Sequence, residues 1–381
     1  MQQVEMHDVE SWKTRNPPCP TLTQNESAAV AVMRQNRLIK AREGDLIETR
    51  GDPIFDVKGL VHPPGRIVAF IRYFAAAKGR RNREGRTYDK VYPLSERYAL
   101  LQDRFPEYLV FDPVFDETLC EVPVNDVTKH YEPARHLREL RFSIALDSLQ
   151  YKALCFAELL KKNANIPWES VGISGSIMIG LHTANSDIDP IVYGSENCKR
   201  TRAALEGFFK TDNELVKPYT RQDLKVLFDF RSKDTIMNFE DFVRTESRKA
   251  LQGKYEGTDY FVRCVRDWNE NGEEYGIVQY KNMGRARIEA TVADDSQSLF
   301  TPCSYKIESM RQLEGKKIES IEEIASFRGR FCESAKKGEV VNASGKVEQV
   351  TDNLHKNKYL RLLIGGNPAD CIILKGQESA R

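Results

Sequence analysis

Several things are scarce in this 381-residue chain, and each shortage excludes something. Charge of one sign is the first: 57 Lys and Arg stand against 56 Asp and Glu, leaving +1 at pH 7. No global field draws the chain to nucleic acid or to a membrane, so any such attraction is local. Long apolar runs are missing too. None approaches the ~18 residues that span a bilayer, and the N-terminus has no basic start followed by an apolar block, the mark of a secretory signal. The expectation is a cytoplasmic protein with no membrane partner. The 8 cysteines are scattered, with no Cys-x-x-Cys pair. That pattern argues against a zinc site or a disulfide framework and for small buried thiols in a reducing compartment. No internal repeat is evident. A composition of 40% hydrophobic and 30% charged residues is that of a globular chain with a polar surface, long enough for two or three domains.

One stretch reads as chemistry. A short apolar strand, Val171 to Ile173, runs into Gly175-Ser176, and Asp187-Ile188-Asp189 follows ten residues later. On an extended segment alternate side chains share a face, so Asp187 and Asp189 point one way and Ile188 the other. Two carboxylates side by side repel unless a cation lies between them. Hard divalent ions such as Mg²⁺ take such oxygen ligands and leave positions open for phosphate oxygens. The Gly175-Ser176 turn offers a residue without a Cβ, backbone N–H groups at a helix start, and a hydroxyl, all suited to a triphosphate. Singly, a Gly-Ser turn or an Asp-x-Asp strand is ordinary surface. Joined in this order and spacing, they are hard to explain by packing alone.

In these residues the chain resembles the DNA-polymerase-β-type nucleotidyltransferase superfamily. The flanks look like uncharacterised archaeal predicted nucleotidyltransferases at Phe55-Asp56-Val57-Lys58-Gly59 with His62-Pro63-Pro64, at Phe300-Thr301-Pro302, and at Phe327-Arg328-Gly329-Arg330-Phe331. The resemblance implies a mixed-sheet core with helices. It also implies ATP or another NTP as substrate, two Mg²⁺ ions held by Asp187 and Asp189, and transfer of an NMP to an acceptor hydroxyl on RNA, protein or a small molecule. Gly175 and Ser176 would bind the nucleotide. A third acid on a neighbouring strand is also implied. Asp259 and Glu289 are both candidates, while Asp229 falls in a helical segment. The alternative is a non-catalytic nucleotide- or RNA-binding protein on the same scaffold. One departure is Pro190 after Asp189, where an apolar residue able to donate to the sheet is usual.

The expected fold class is α+β in four parts. Residues 1–35, with Pro17, Pro18 and Pro20 and little periodicity, read as a mobile tail. Residues 36–136 carry strand-like runs and a basic loop, Lys78 to Arg86, expected to be a solvated hairpin tip. Residues 137–295 form the nucleotidyltransferase core, opening with one long helix or two from Leu137 to Lys162. A helix start at Thr220 resembles a capping box with Asp223. Residues 296–381 form a β-rich, barrel-like domain. Hairpins are expected around Asn282-Met283-Gly284 and at Ser344-Gly345, and an acidic helical turn between Ile318 and Phe327. His182 reads as a satisfied helix-end histidine. Phe327 to Phe331 read either as a single-strand-binding platform or as a β-core with outward arginines.

Overall fold

Period-two strands and 3.6-period helices alternate along the chain, and the structure sorts them into an α+β architecture. The computed structural model describes residues 39–270, 272 and 274–376; the expected tail lies outside the described residues. Among the described residues there are seven α-helices and several β-sheets, and no helix is long and apolar enough to cross a membrane.

The first sheet is antiparallel. Ile54–Val57 lies between Leu46–Thr49 and Arg66–Ala75, and Arg66–Ala75 pairs onward with Arg86–Lys90. The basic loop is the hairpin Arg81–Arg83 with Arg86–Lys90. Its tip is solvated only in part. Arg80 and Arg86 reach outward, but Arg83 turns back to donate to Glu48 at 2.6 Å and to the hydroxyls of Tyr131 and Tyr88. A buried carboxylate needs a partner more than a hairpin tip needs another solvated arginine.

The middle of the chain begins with two helices, Pro133–Phe142 and Ser148–Ala164. The break comes at Asp147, whose side chain accepts from the backbone of Leu149 and Gln150 while the Asp147 N–H donates to the Gln150 side chain. That capping box starts a helix afresh. His182 hydrogen-bonds the same Asp147 at 2.7 Å. Three short strands follow in space. Pro190–Tyr193 runs antiparallel to Val171–Ile173 and parallel to Arg263–Val265. Pro190 is the first residue of this middle strand, a position where a missing N–H leaves most of the ladder intact. The helix Ser195–Lys210 covers the sheet, and Thr220 caps Arg221–Arg231 reciprocally with Asp223. The next helix, Phe239–Glu246, is capped by Asn238.

The C-terminal strands close on themselves. Val278–Asp294 pairs with both Cys303–Gly315 and Val340–Asp352. Glu323–Ser326 and Asn357–Leu363, parallel to each other, complete the ring. In topology alone this is the Greek-key closure of OB-type barrels. Both expected hairpins are corrected to continuous strands. Residues 282–285 form a bulge within Val278–Asp294. Gly345 continues its strand because a Cβ there would lie 2.5 Å from the Leu363 carbonyl oxygen, so the glycine answers to a close neighbouring strand and not to a turn. The acidic segment before Phe327 is also a strand, Glu323–Ser326. One apolar cluster runs from Phe156 and Ile173 through Val262 to Ile288 and Val347, so the barrel packs directly on the middle sheet.

Candidate functional site

Ile188 positions the acidic pair. It is fully buried in the core (0% exposed), and its N–H donates to the Asp259 carbonyl while the Phe261 N–H donates to its own. This bridge puts Ile188 beside Tyr260 in parallel register, and the next pair along is Ile191 beside Arg263. With that offset Asp187 stands beside Asp259 and Asp189 beside Phe261, all on one face. Asp187 and Asp259 are exposed; Asp189 is half-buried.

The turn after Val171–Ile173 meets Asp189. Gly175 has φ +66°, and a Cβ built on it would lie 2.0 Å from Asp189 Oδ2. The Ser174 N–H donates to the Asp189 carbonyl at 2.9 Å, and the Ser174 hydroxyl donates to the Gly44 carbonyl at 2.7 Å. The turn and the acidic strand are therefore locked together. Ser176 does not present its hydroxyl. It is 2% exposed, and its Oγ has no hydrogen-bond partner among the described residues. The helix it opens, Gly175–Met178, is only four residues long, so little macrodipole can build up. The Asp189 carboxylate takes the space left by Gly175, so the turn's offering to a ligand is its backbone.

Electrostatics mark Asp189. Burial pushes its carboxyl up to about 7, the Asp187 charge adds to the rise, and Lys90, Arg263 and Arg72 pull the other way. Burial also raises Asp259, against Lys254 and Tyr219, with Asp187 adding a smaller upward push. A carboxyl raised chiefly by burial, and further by a neighbouring carboxylate, is a group that a hard divalent cation would relieve. Asp187 and Asp189 are the residues that would hold such an ion. A complete three-acid cage is not assembled, because no group of three His, Cys, Asp or Glu side chains able to hold a metal occurs among the described residues.

The second candidate third acid lies elsewhere. Glu289 sits on the barrel strand Val278–Asp294, bonded to Arg311 at 3.1 Å and to Lys375 at 3.0 Å. Lys375 and Arg311 hold its carboxyl below the usual range. Its apolar-acid-apolar context reflects an alternating barrel strand, not a catalytic one. Asp229 is on the helix Arg221–Arg231, paired with Lys225.

Sequence reading alone passed over the ionic cluster behind the acidic pair. Glu43, 0% exposed, accepts from Lys58 at 3.2 Å, from the Gly59 N–H at 2.9 Å, and from Arg263. Lys58 also holds Asp56 at 2.8 Å. Lys58, Arg263 and Arg72 offset the burial of Asp56 and keep its carboxyl well below the usual range. The available signal was Asp56-x-Lys58: charges at period two within an apolar strand, where solvent is not the expected partner. Arg328 and Arg330 are not an outward platform. Both donate to Asp234, and Arg330 also to Thr235 at 2.8 Å.

Comparison with known proteins adds a relative. Over 335 residues the chain is 33% identical to "Uncharacterized protein MJ1086" of Methanocaldococcus jannaschii, covering 86% of this chain and 96% of that protein. No family model matches the chain, and no solved structure matches it.

Proposed function

For a chain that belongs to the family of the archaeal protein MJ1086, we propose a Mg²⁺-dependent nucleotidyltransferase that moves an NMP from an NTP to an acceptor hydroxyl. One observation carries the reading: the Asp189 carboxylate fills the space over Gly175, with Asp187 and Asp259 on the same face. Packing has no use for an acid against a left-handed glycine with two more on the same strand face, whereas phosphoryl transfer does. Asp187 and Asp189 would hold the divalent ions, which, when bound, neutralise charge building on the phosphates during displacement. Gly175 leaves room for the Asp189 carboxylate to lie against the turn. Asp259, exposed beside Asp187, would take the proton of the acceptor hydroxyl. Ser176 would contribute its N–H, since its hydroxyl is buried. The nucleotidyltransferase core would then be the three-stranded middle sheet with its helices, between the N-terminal sheet and the barrel.

The absence of a three-acid cage among the described residues favours one alternative: a nucleotide- or RNA-binding protein on the same scaffold that performs no transfer. The two separate in one experiment. The protein is incubated with each labelled NTP, Mg²⁺ and a cell extract as acceptor source, and pyrophosphate release and product mass are read. Transfer that disappears in the double variant Asp187→Asn/Asp189→Asn, with the melting curve still cooperative, supports the enzyme. NTP binding without pyrophosphate release supports the alternative.

A further inference from the structure

Arg97 poses a question the acidic site does not answer. It lies in the first turn of the helix Leu94–Arg104 and is only 9% exposed. Its Nε has no partner, and among the described residues its guanidinium is in no hydrogen bond or ion pair. A buried arginine is normally paired, because an uncompensated buried charge is among the more costly things a fold can hold.

Its surroundings make the problem worse. Burial pushes Arg97 down to about 9, and Arg72 and Arg328 push in the same direction against Asp56 and Asp234. Those two acids are already engaged, Asp56 by Lys58 and Asp234 by Arg328 and Arg330. Two further cations stand on the neighbouring strands without an ion pair among the described residues. Arg72 lies over the Tyr92 ring at 4.8 Å, and Lys90 lies over the same ring at 4.6 Å. The Val91 N–H, donating to the Arg72 carbonyl at 3.1 Å, fixes the two strands at this point. Tyr92 and Pro93 lead directly into the helix, whose N-cap position supplies no side-chain bond to the first-turn N–H groups. Lys90 and Arg72 are also among the cations that act on Asp189. Two of the three cations therefore lie close enough to Asp189 to act on it.

We infer that Arg72, Lys90 and Arg97, at the start of the helix Leu94–Arg104, form a binding site for a phosphate chain. An anion carrying several charges is the ligand that a buried guanidinium and two further cations, none in an ion pair among the described residues, and a helix start without a side-chain cap have in common. A planar guanidinium takes two phosphate oxygens at once. The nucleoside on that chain rests on the nucleotidyltransferase reading; the phosphate site does not. In that reading the chain's far end meets these cations, and its near end meets Asp187 and Asp189. Tyr92, edge-on to the 44%-exposed Phe230 with ring centres 5.1 Å apart, stands beside the cluster.

The test is calorimetric titration of the full chain with inorganic tripolyphosphate, and with citrate as a non-phosphate polyanion. Wild type is compared with Arg97→Met and Lys90→Gln, and the melting temperature of each ligand-free protein is recorded. The site predicts at least tenfold weaker tripolyphosphate binding in both variants. It also predicts a higher ligand-free melting temperature for Arg97→Met, because an unpaired charge has been removed. A merely structural arginine would lower that temperature and leave binding alone. Unchanged tripolyphosphate affinity in both variants, or citrate binding as tightly as tripolyphosphate, overturns the proposal. The nucleotidyltransferase reading fails separately. Tripolyphosphate binding without any pyrophosphate release from NTPs keeps the phosphate site and removes the enzyme. Turnover whose KM for NTP is the same in Arg97→Met keeps the enzyme and removes the site.

Discussion

Gly175→Ala is the sharpest test of how the turn and the acidic strand fit. Two separate costs are read from the structure. Gly175 sits at φ +66°, where an L-residue pays about 1–2 kcal/mol for its Cβ. The new methyl would also start 2.0 Å from Asp189 Oδ2, far inside contact distance. The carboxylate would have to move by over an ångström, and overpacking of this kind costs about 1–3 kcal/mol. The sum is about 2–5 kcal/mol, measured as a shift in urea midpoint at constant slope. The costs separate in a double-mutant cycle with Asp189→Ala. Removing the carboxylate should recover the overlap part and leave the backbone part, giving a coupling of about 1–3 kcal/mol. A Gly175→Ala protein within about 0.5 kcal/mol of wild type, the range of an ordinary surface substitution, would refute the geometry. So would a coupling near zero.

Other expectations follow from the same contacts. Asp189 keeps its proton in the folded state up to about 7, while the unfolded chain loses it near 3.8, so the folded state binds more protons between these values. Stability from this group is therefore present at low pH and falls as pH rises through about 7. Asp189→Asn should exceed wild type by about 2–4 kcal/mol at pH 8 without divalent ions. Each tenfold rise in proton affinity on folding is worth about 1.4 kcal/mol, and partial contact with solvent reduces the total. The gain should vanish near pH 4 in paired urea melts; a pH-independent difference would contradict it. Asp259→Asn should cut transfer by about 10²-fold or more, as loss of a general base does. Glu289→Gln should leave transfer unchanged, since its carboxylate is held by Arg311 and Lys375 in the barrel; steady-state rates of the two variants decide. Thr220→Ala removes a reciprocal cap on the helix Arg221–Arg231 and should cost about 1 kcal/mol by thermal melt.

Local patterns were legible wherever one short stretch decided the outcome. The strand before Gly175, the shared face of Asp187 and Asp189, and the Thr220–Asp223 box need only neighbours a few residues apart. The misread elements share a physical reason. At Asn282-Met283-Gly284 and Ser344-Gly345, turn-like residues lie within long strands because cross-strand neighbours hold them there. Leu137 to Lys162, open between one helix and two, is two, because the capping box at Asp147 starts the second helix. Glu289 and Asp259 have similar local contexts; only the parallel register of Ile188 with Tyr260 distinguishes them.

The sequence by itself determined the chemistry on offer: two acids on one face of an extended segment, after a glycine turn, in a chain with almost no net charge and no long apolar spans. Those properties depend on backbone periodicity and composition, which act over a few residues. Only the tertiary structure decided which distant groups meet them. It set Asp259 beside Asp187, buried the Ser176 hydroxyl, and buried Arg97 with no ion pair among the described residues. Such outcomes depend on strand register and on burial, and both are set by contacts between residues far apart in the chain.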